Sequence, residues 1–213
     1  MIDLAEIRNE LMQKGFAART GRPEDVRIAT YTTNRGVSWK ARESGLTEIL
    51  KPMTPDEAPS RSLSATYGLG PQPLHTDGAH LATPPDIVVL YSAKPTNTST
   101  LVWKLPIRTP SFLRSGVFTV NKLDGSFLTH AYENSRLRYD PGCMTPSDHL
   151  AKKVVSYFDA ARSDAHIHQW SEDDTLLFIE NNRALHARDA LRTPEEQNTR
   201  HIQRMTFSLE RNE

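Results

Sequence analysis

Thr199-Arg200-His201-Ile202-Gln203-Arg204-Met205-Thr206-Phe207 reads as a strand with two unlike faces. Strand periodicity puts Arg200, Ile202 and Arg204 on one side, and Met205, Phe207 and Leu209 on the other. If the arginine face meets solvent, the arrangement is ordinary. If it turns inward, a guanidinium needs an anion beside it, because an unpaired buried charge costs several kcal/mol. A dicarboxylate ligand would supply one bidentately, which suits Arg better than Lys.

Outward from this segment, which begins the strand Ile202 to Leu209, lie four more strand candidates: Asp86 to Ser92 (DIVVLYS), Val117 to Asn121, Phe127 to Tyr132 and Thr175 to Ile179. Asp124-Gly125 is a turn signal between the second and third of these. Ile2, Leu4, Ile7 and Leu11 recur at helical spacing and stop at Gly15-Phe16. A second helix is signalled by Thr145 as N-cap, Pro146 at the first helical position and Asp148 in the first turn, with Leu150, Val154, Val155 and Phe158 on one stripe. Lys152, Lys153 and Asp159 form its solvated face. With 14 prolines and 10 glycines punctuating many short segments, the pattern predicts one continuous domain over 1–213. That domain is mainly β with flanking helices, built as a sandwich or barrel.

The chain has 26 basic and 26 acidic residues. It therefore has no generic attraction to phosphate backbones or anionic lipid, and neither nucleic acid nor a membrane is an expected partner. Its longest apolar run, Ile87 to Tyr91, is far short of the ~20 residues that span a bilayer. Ile2-Asp3-Leu4-Ala5-Glu6 has no signal-peptide character, and Cys143 alone forms no internal disulfide, so a cytoplasmic location is expected.

His75 and Asp77 lie two residues apart in Leu74-His75-Thr76-Asp77, so in extended chain both reach one point. A surface loop is the ordinary explanation of such a tripeptide, and a metal site requires a second histidine. Five others are set aside: His166 and His168 as loop in SDAHIHQW, His130 inside a strand, His149 early in the second helix, and His201 out of register with its arginines. His186 follows the apolar strand Leu176 to Ile179 and the turn-like Glu180-Asn181-Asn182-Arg183, where a rigid scaffold can aim it. Two histidines and one carboxylate make the facial triad that holds Fe(II) with positions left open.

Taken in order, these motifs resemble the Fe(II)/2-oxoglutarate-dependent oxygenases of the taurine dioxygenase and clavaminate synthase type, over nearly the whole chain. Leu4 to Phe16 resembles the opening helix. His75-Thr76-Asp77 followed by Ala82-Thr83-Pro84-Pro85 resembles the metal loop, and Ser99-Thr100-Leu101-Val102-Trp103 resembles the Gly-Asp-Thr-Leu-Trp segment. Phe178 to His186 resembles the Asp-Asn-x-Arg-x-x-His run, and Arg200 with Arg204 matches a pair four residues apart. Glu180 departs from the usual aspartate, and Asn97-Thr98-Ser99 replaces a glycine-rich lead. The chain is also shorter than most relatives between Thr100 and the second helix, where the lid is usually found.

The resemblance implies a double-stranded β-helix (jelly-roll, cupin-like) core, with iron held by His75, Asp77 and His186. It implies that Thr100 and Arg200 bind 2-oxoglutarate, and that Arg204 lies near its metal-side carboxylate or the substrate's acid. It further implies O2 as co-substrate, succinate and CO2 as products, and a small molecule, an amino acid or natural-product intermediate, as the substrate oxidised. Asp77 occupies the position that is small in halogenating relatives, which favours hydroxylation, with desaturation, epoxidation or cyclisation as alternatives. His80 and Arg138 are candidate substrate contacts. Trp39, Trp103 and Trp170 read as core, and Cys143 needs no role. Two other classes remain: a non-catalytic binding module on the same barrel, and a zinc hydrolase using His75, Asp77 and His80, which leaves the arginine pair unexplained.

Overall fold

Asp3 and Gly15 bracket the first helix as the sequence predicts. The Asp3 carboxylate accepts from the backbone N–H groups of Ala5 and Glu6, and Gly15, at φ 84°, turns its own N–H back to the Leu11 carbonyl. The computed structural model describes residues 2–32, 37–42, 48–60, 62–122 and 125–211. In chain order the elements are α1 (Leu4–Lys14), β1 (Phe16–Thr20), α2 (Pro23–Thr32), β2 (Val37–Ala41), β3 (Glu48–Leu50), α3 (Leu63–Tyr67), β4 (Ile87–Ser92) and β5 (Thr96–Lys104). An inserted region follows: α4 (Phe112–Ser115), β6 (Val117–Lys122), β7 (Gly125–His130), β8 (Tyr132–Glu133), β9 (Arg136–Leu137) and β10 (Met144–Pro146). Then come α5 (His149–Ala161), β11 (His166–Trp170), β12 (Thr175–Glu180), β13 (Ala184–Arg188), α6 (Glu196–Thr199) and β14 (Ile202–Arg211).

Two sheets form the frame. The larger runs β1-β12-β4-β14-β2, with β3 also paired to β14, and the smaller runs β11-β5-β13. They pack face to face, because one buried cluster takes Val88, Leu90, Leu177, Ile179 and Ile202 from the first and Val102, Trp170 and Ala184 from the second. Leu4, Ile7 and Leu11 of α1 and Val26 and Ala29 of α2 cover the other face of the larger sheet at Ile87, Val89, Phe178, Met205 and Phe207. Val154 and Phe158 of α5 cover the other face of the smaller sheet at Leu101, Leu185 and Ala187. Strands β4 and β12 are therefore buried on both faces along their whole length, which is why they read as unbroken apolar runs. The predicted division of β14 holds, with Ile202 in the interior cluster and Met205 and Phe207 on the α1 side.

Three local expectations are corrected. The second helix starts at His149 and not at Thr145: Asp148 is its N-cap, accepting from Ala151 N–H. Met144–Pro146 is the edge strand β10, paired with β6; burial of Met144 decides for the strand, and Pro146 costs nothing at an edge. His166 and His168 lie on strand β11, where His168 and Trp170 are buried while Ile167 and Gln169 face outward. Arg200 precedes β14 and ends α6. The turn expected at Asp124-Gly125 falls partly outside the described residues, although Lys122 pairs with Gly125. The insertion between β5 and α5 carries a three-stranded sheet, β10-β6-β7. No described helix is long and apolar enough to cross a membrane.

Candidate active site

His75 and His186 face each other through a single antiparallel bridge. His75 N–H donates to the His186 carbonyl and His186 N–H to the His75 carbonyl, both at 2.9 Å. This adds the metal-loop segment to the smaller sheet beside β13 and sets the imidazoles with centroids 4.5 Å apart. Thr76, between His75 and Asp77, is pinned the other way: its N–H donates to the Tyr139 carbonyl at 2.7 Å, and its hydroxyl accepts from Tyr139 N–H at 3.0 Å. With Thr76 fixed, His75 and Asp77 take the same side, as the i, i+2 spacing requires.

Asn181 locks the loop from the β12–β13 turn. Its Oδ1 accepts from Asp77 N–H at 2.9 Å, and its Nδ2 donates to the carbonyls of Asp77 at 3.0 Å and Pro85 at 2.9 Å. Gly78 follows at φ 69°, and a Cβ there would stand 2.8 Å from the Pro85 ring; only glycine turns the chain this tightly after Asp77.

The ligand atoms of His75, Asp77 and His186 all lie within 4.8 Å of one another, the one such group among the described residues. Asp77 Oδ1 is 3.7 Å from His75 Nε2 and 3.6 Å from His186 Nε2. His75 Nδ1 is 3.0 Å from the Pro73 carbonyl, an acceptor only, so that nitrogen carries the proton and Nε2 presents a lone pair. Two acceptor atoms thus confront each other beyond hydrogen-bond range, a donor set that a divalent cation satisfies. The residues fit iron(II).

Asp77 Oδ2 lies 3.0 Å from Arg204 Nη1, and Arg204 Nη2 also pairs with Glu48 of β3. Burial pushes the Asp77 carboxyl up, but the Arg204 guanidinium and the two imidazoles outweigh it and hold the group at about 2. Arg204 is raised, first by Asp77, and burial lowers His186 to about 3. The ligands are therefore an ionised carboxylate and a neutral imidazole at neutral pH.

Between the two sheets stands a second polar group. Register aligns His168, Thr100 and Arg188 across β11, β5 and β13, and Thr100 and Arg188 are buried. Trp170 Nε1 donates to Thr100 Oγ1 at 3.0 Å; a hydroxyl that accepts there keeps its own proton to donate. Arg188 is spent on the carbonyls of Gly68, Leu69 and Asp189. Arg200 is 6% exposed and its Nε has no partner. Burial first, then Arg188, pull Arg200 down to about 10, against Glu196.

No family model and no curated protein matches the chain. Solved structures do. An asparagine oxygenase in complex with Fe(II), 2S,3S-3-hydroxyasparagine and succinate aligns at TM-score 0.68 and 17% identity, covering 97% of this chain and 78% of that one. PvcB, an Fe, alpha-ketoglutarate dependent oxygenase from an isonitrile synthetic pathway, aligns at 0.65 and 15%, covering 99% and 83%. The non-heme iron oxygenase OrfP, in complex with Fe, succinate and (3S)-hydroxy-L-Arg, aligns at 0.65 and 16%, covering 96% and 78%. The chain has the fold of iron- and 2-oxoglutarate-dependent oxygenases.

The remaining site candidates fall differently. His80 is exposed and stands outside the metal-ligating group, so the zinc alternative loses its third ligand. Arg138 donates to the carbonyls of Ala79, Leu81 and Ala82 and lies over the Phe127 ring; it clamps the metal loop and has little left for a substrate. Trp39 and Trp170 are core, and Trp103 is half-buried against α5. Cys143 is buried and its thiol pushed up to about 12 by that burial. Glu48, Arg188 and Glu196 carry no reading in the sequence, and Asn181 carries one only as part of the turn-like Glu180-Asn181-Asn182-Arg183 and of the run that ends at His186. For Arg188 a signal existed: it sits two residues past His186 and so shares its face.

Proposed function

We propose that this chain is an Fe(II)- and 2-oxoglutarate-dependent dioxygenase that hydroxylates a C–H bond of a small molecule, with an amino acid the favoured class. The observation that carries the reading is the pairing of two features in one interior: an open His75–Asp77–His186 face and a buried Arg200 whose Nε has no partner. The first asks for a metal and the second for an anion, and a chelating keto acid answers both. The crystallised structural neighbours, with Fe(II), succinate and hydroxylated amino acids in their sites, support the same choice. We take the two facing sheets as a double-stranded β-helix.

Each turnover converts R–H, O2 and 2-oxoglutarate to R–OH, succinate and CO2, with one oxygen atom entering each organic product. Bound iron supplies the oxygen activation. The protein supplies position. His75, Asp77 and His186 would hold one face of the metal, and Arg204 fixes the Asp77 carboxylate by taking its other oxygen. Thr100 and Arg200 would hold the distal carboxylate of 2-oxoglutarate, in a site whose burial excludes water and strengthens the charge pair. Desaturation, epoxidation and cyclisation use the same residues and differ in the substrate presented.

The test is succinate release from 2-oxoglutarate under air with Fe(II), ascorbate and no zinc, against a panel of amino acids and natural-product intermediates. Substrate-stimulated succinate with a product heavier by one oxygen is expected. A protein that binds the panel yet makes no succinate is a binding module and overturns the reading.

A further inference from the structure

We propose that Glu196 is a positioning residue for 2-oxoglutarate: it fixes where Arg200 stands, and so sets the enzyme's preference for a keto acid with a second carboxylate. The inference rests on the function proposed above.

The chain leaves the smaller sheet at Arg188 and re-enters the larger one at Ile202. Between them it must deliver a cation into the barrel. The only helix in that connection is α6, of four residues, too short to hold its shape by its own hydrogen bonds. Glu196 opens it and is 5% exposed. Its carboxylate accepts from the hydroxyl of Thr96, from Thr98 N–H at 2.9 Å, from the Thr98 hydroxyl at 2.7 Å and from Arg192 N–H at 3.1 Å. All lone-pair directions of the carboxylate are used, and three of the four donors belong to β5. Thr98 and Thr100 share the inward face of that strand, so α6 is tied to the strand that offers Thr100.

At the other end of α6, Arg200 N–H donates to the Glu196 carbonyl at 3.0 Å. Arg200 is thus one helical turn from an anchored residue, with its side chain buried and its Nε unpartnered. The local charges add up the same way. Arg188 and Arg200 are two buried cations against one buried anion, Glu196, and the half-buried Asp189 beside Arg188 is taken up by Arg162 and Arg192, so the group stays net positive. One carboxylate completes it, while the other end of 2-oxoglutarate goes to the metal.

The experiment compares 2-oxoglutarate with 2-oxopentanoate, a keto acid of equal chain length with no distal carboxylate. Binding to Mn(II)-loaded protein without oxygen is read by tryptophan fluorescence and thermal shift. Wild type is expected to prefer 2-oxoglutarate by at least roughly 30-fold, the lower end of a buried charge pair's ~2–5 kcal/mol. Glu196→Gln replaces an acceptor by a donor facing Arg192 N–H. It should weaken 2-oxoglutarate about tenfold or more and leave 2-oxopentanoate within about threefold. Thr98→Val, close to isosteric, removes the hydroxyl's bond to Glu196 and the longer one it accepts from Arg192 N–H at 3.3 Å, keeps the other three donors on the carboxylate, and should shift the preference the same way by less; it decides the matter if Glu196→Gln does not fold. Equal weakening of both ligands makes Glu196 a packing residue only and overturns the inference, as does an unchanged preference in both variants. A wild type with no preference overturns the placement of 2-oxoglutarate on Arg200, and this inference with it.

Discussion

Arg200→Leu should make the ligand-free protein more stable and at the same time nearly blind to 2-oxoglutarate. The guanidinium sits at about 10 against an ordinary 12.5, first because it is buried and then because Arg188 is near. At about 1.4 kcal/mol for each pKa unit, holding it charged costs about 3 kcal/mol. Leucine keeps much of the apolar stem and carries no charge, so up to about 3 kcal/mol returns to the fold. For a domain of this size that is a rise of several degrees in Tm, at most about 12 °C. Added 2-oxoglutarate works against that order. Wild type gains about 2.7 kcal/mol at a hundredfold excess over Kd, whereas the variant has lost ~2–5 kcal/mol of that binding. Differential scanning fluorimetry of both proteins across a 2-oxoglutarate series should show the variant's lead in Tm shrinking steadily as ligand is added. A ligand-free variant clearly less stable than wild type refutes the unpaired state of Arg200. An undiminished ligand response refutes its role. Arg204→Leu is the contrasting case: it strips the partner from Asp77 Oδ2 at 3.0 Å, should cost on the order of 3 kcal/mol, and should affect the apparent KM for 2-oxoglutarate less than Arg200→Leu does.

His75→Ala, Asp77→Ala and His186→Ala should each abolish succinate release while near-native circular dichroism persists, since open-site ligands are not packing residues; full activity with one iron bound in any of them removes that residue from the triad. Asp77→Gly should lose hydroxylation yet still bind iron and 2-oxoglutarate through both histidines and the keto acid, measured by metal content and ligand-induced thermal shift; undiminished hydroxylation means Asp77 is no ligand. Arg138→Leu should lower stability by about 2 kcal/mol by stranding loop carbonyls, measured by urea unfolding. An unchanged midpoint with a raised substrate KM would return Arg138 to the substrate. For His168, burial and then His166 lower the pKa to about 4, below the ~6.5 of an unfolded chain. The unfolded state then binds the extra proton first, so stability falls as pH drops from 6.5 to 4, by up to about 3 kcal/mol. Unfolding of His168→Phe at pH 7 and pH 4.5 should show a smaller difference than wild type; an equal difference means His168 does not titrate there.

What could be read from sequence depended on how local the deciding interaction is. Strands β4 and β12 are apolar throughout because both faces are covered, and that information is complete within six residues. The candidate metal-ligating group was legible for a related reason: His75 and Asp77 need only period two, and His186 only its place after β12, although it stands inside β13 and not at a strand exit. Strand β11 was missed because its buried side is His168 and Trp170, one of them polar, so hydropathy alone does not reveal the alternation. The start of α5 reads from Thr145 with Asp148 in the first turn, whereas Asp148 is the N-cap, because pairing of Met144 with Val120 on β6, which capping chemistry does not reveal, holds Met144–Pro146 in a strand. Glu196 lies furthest from view. Its partners Thr96 and Thr98 are about a hundred residues away in the chain, and nothing in Glu195-Glu196-Gln197 separates the anchored carboxylate from its solvated neighbour. A buried acid that holds a loop and an exposed one that holds nothing are written with the same letter, and only the hydrogen bonds tell which of them places the arginine.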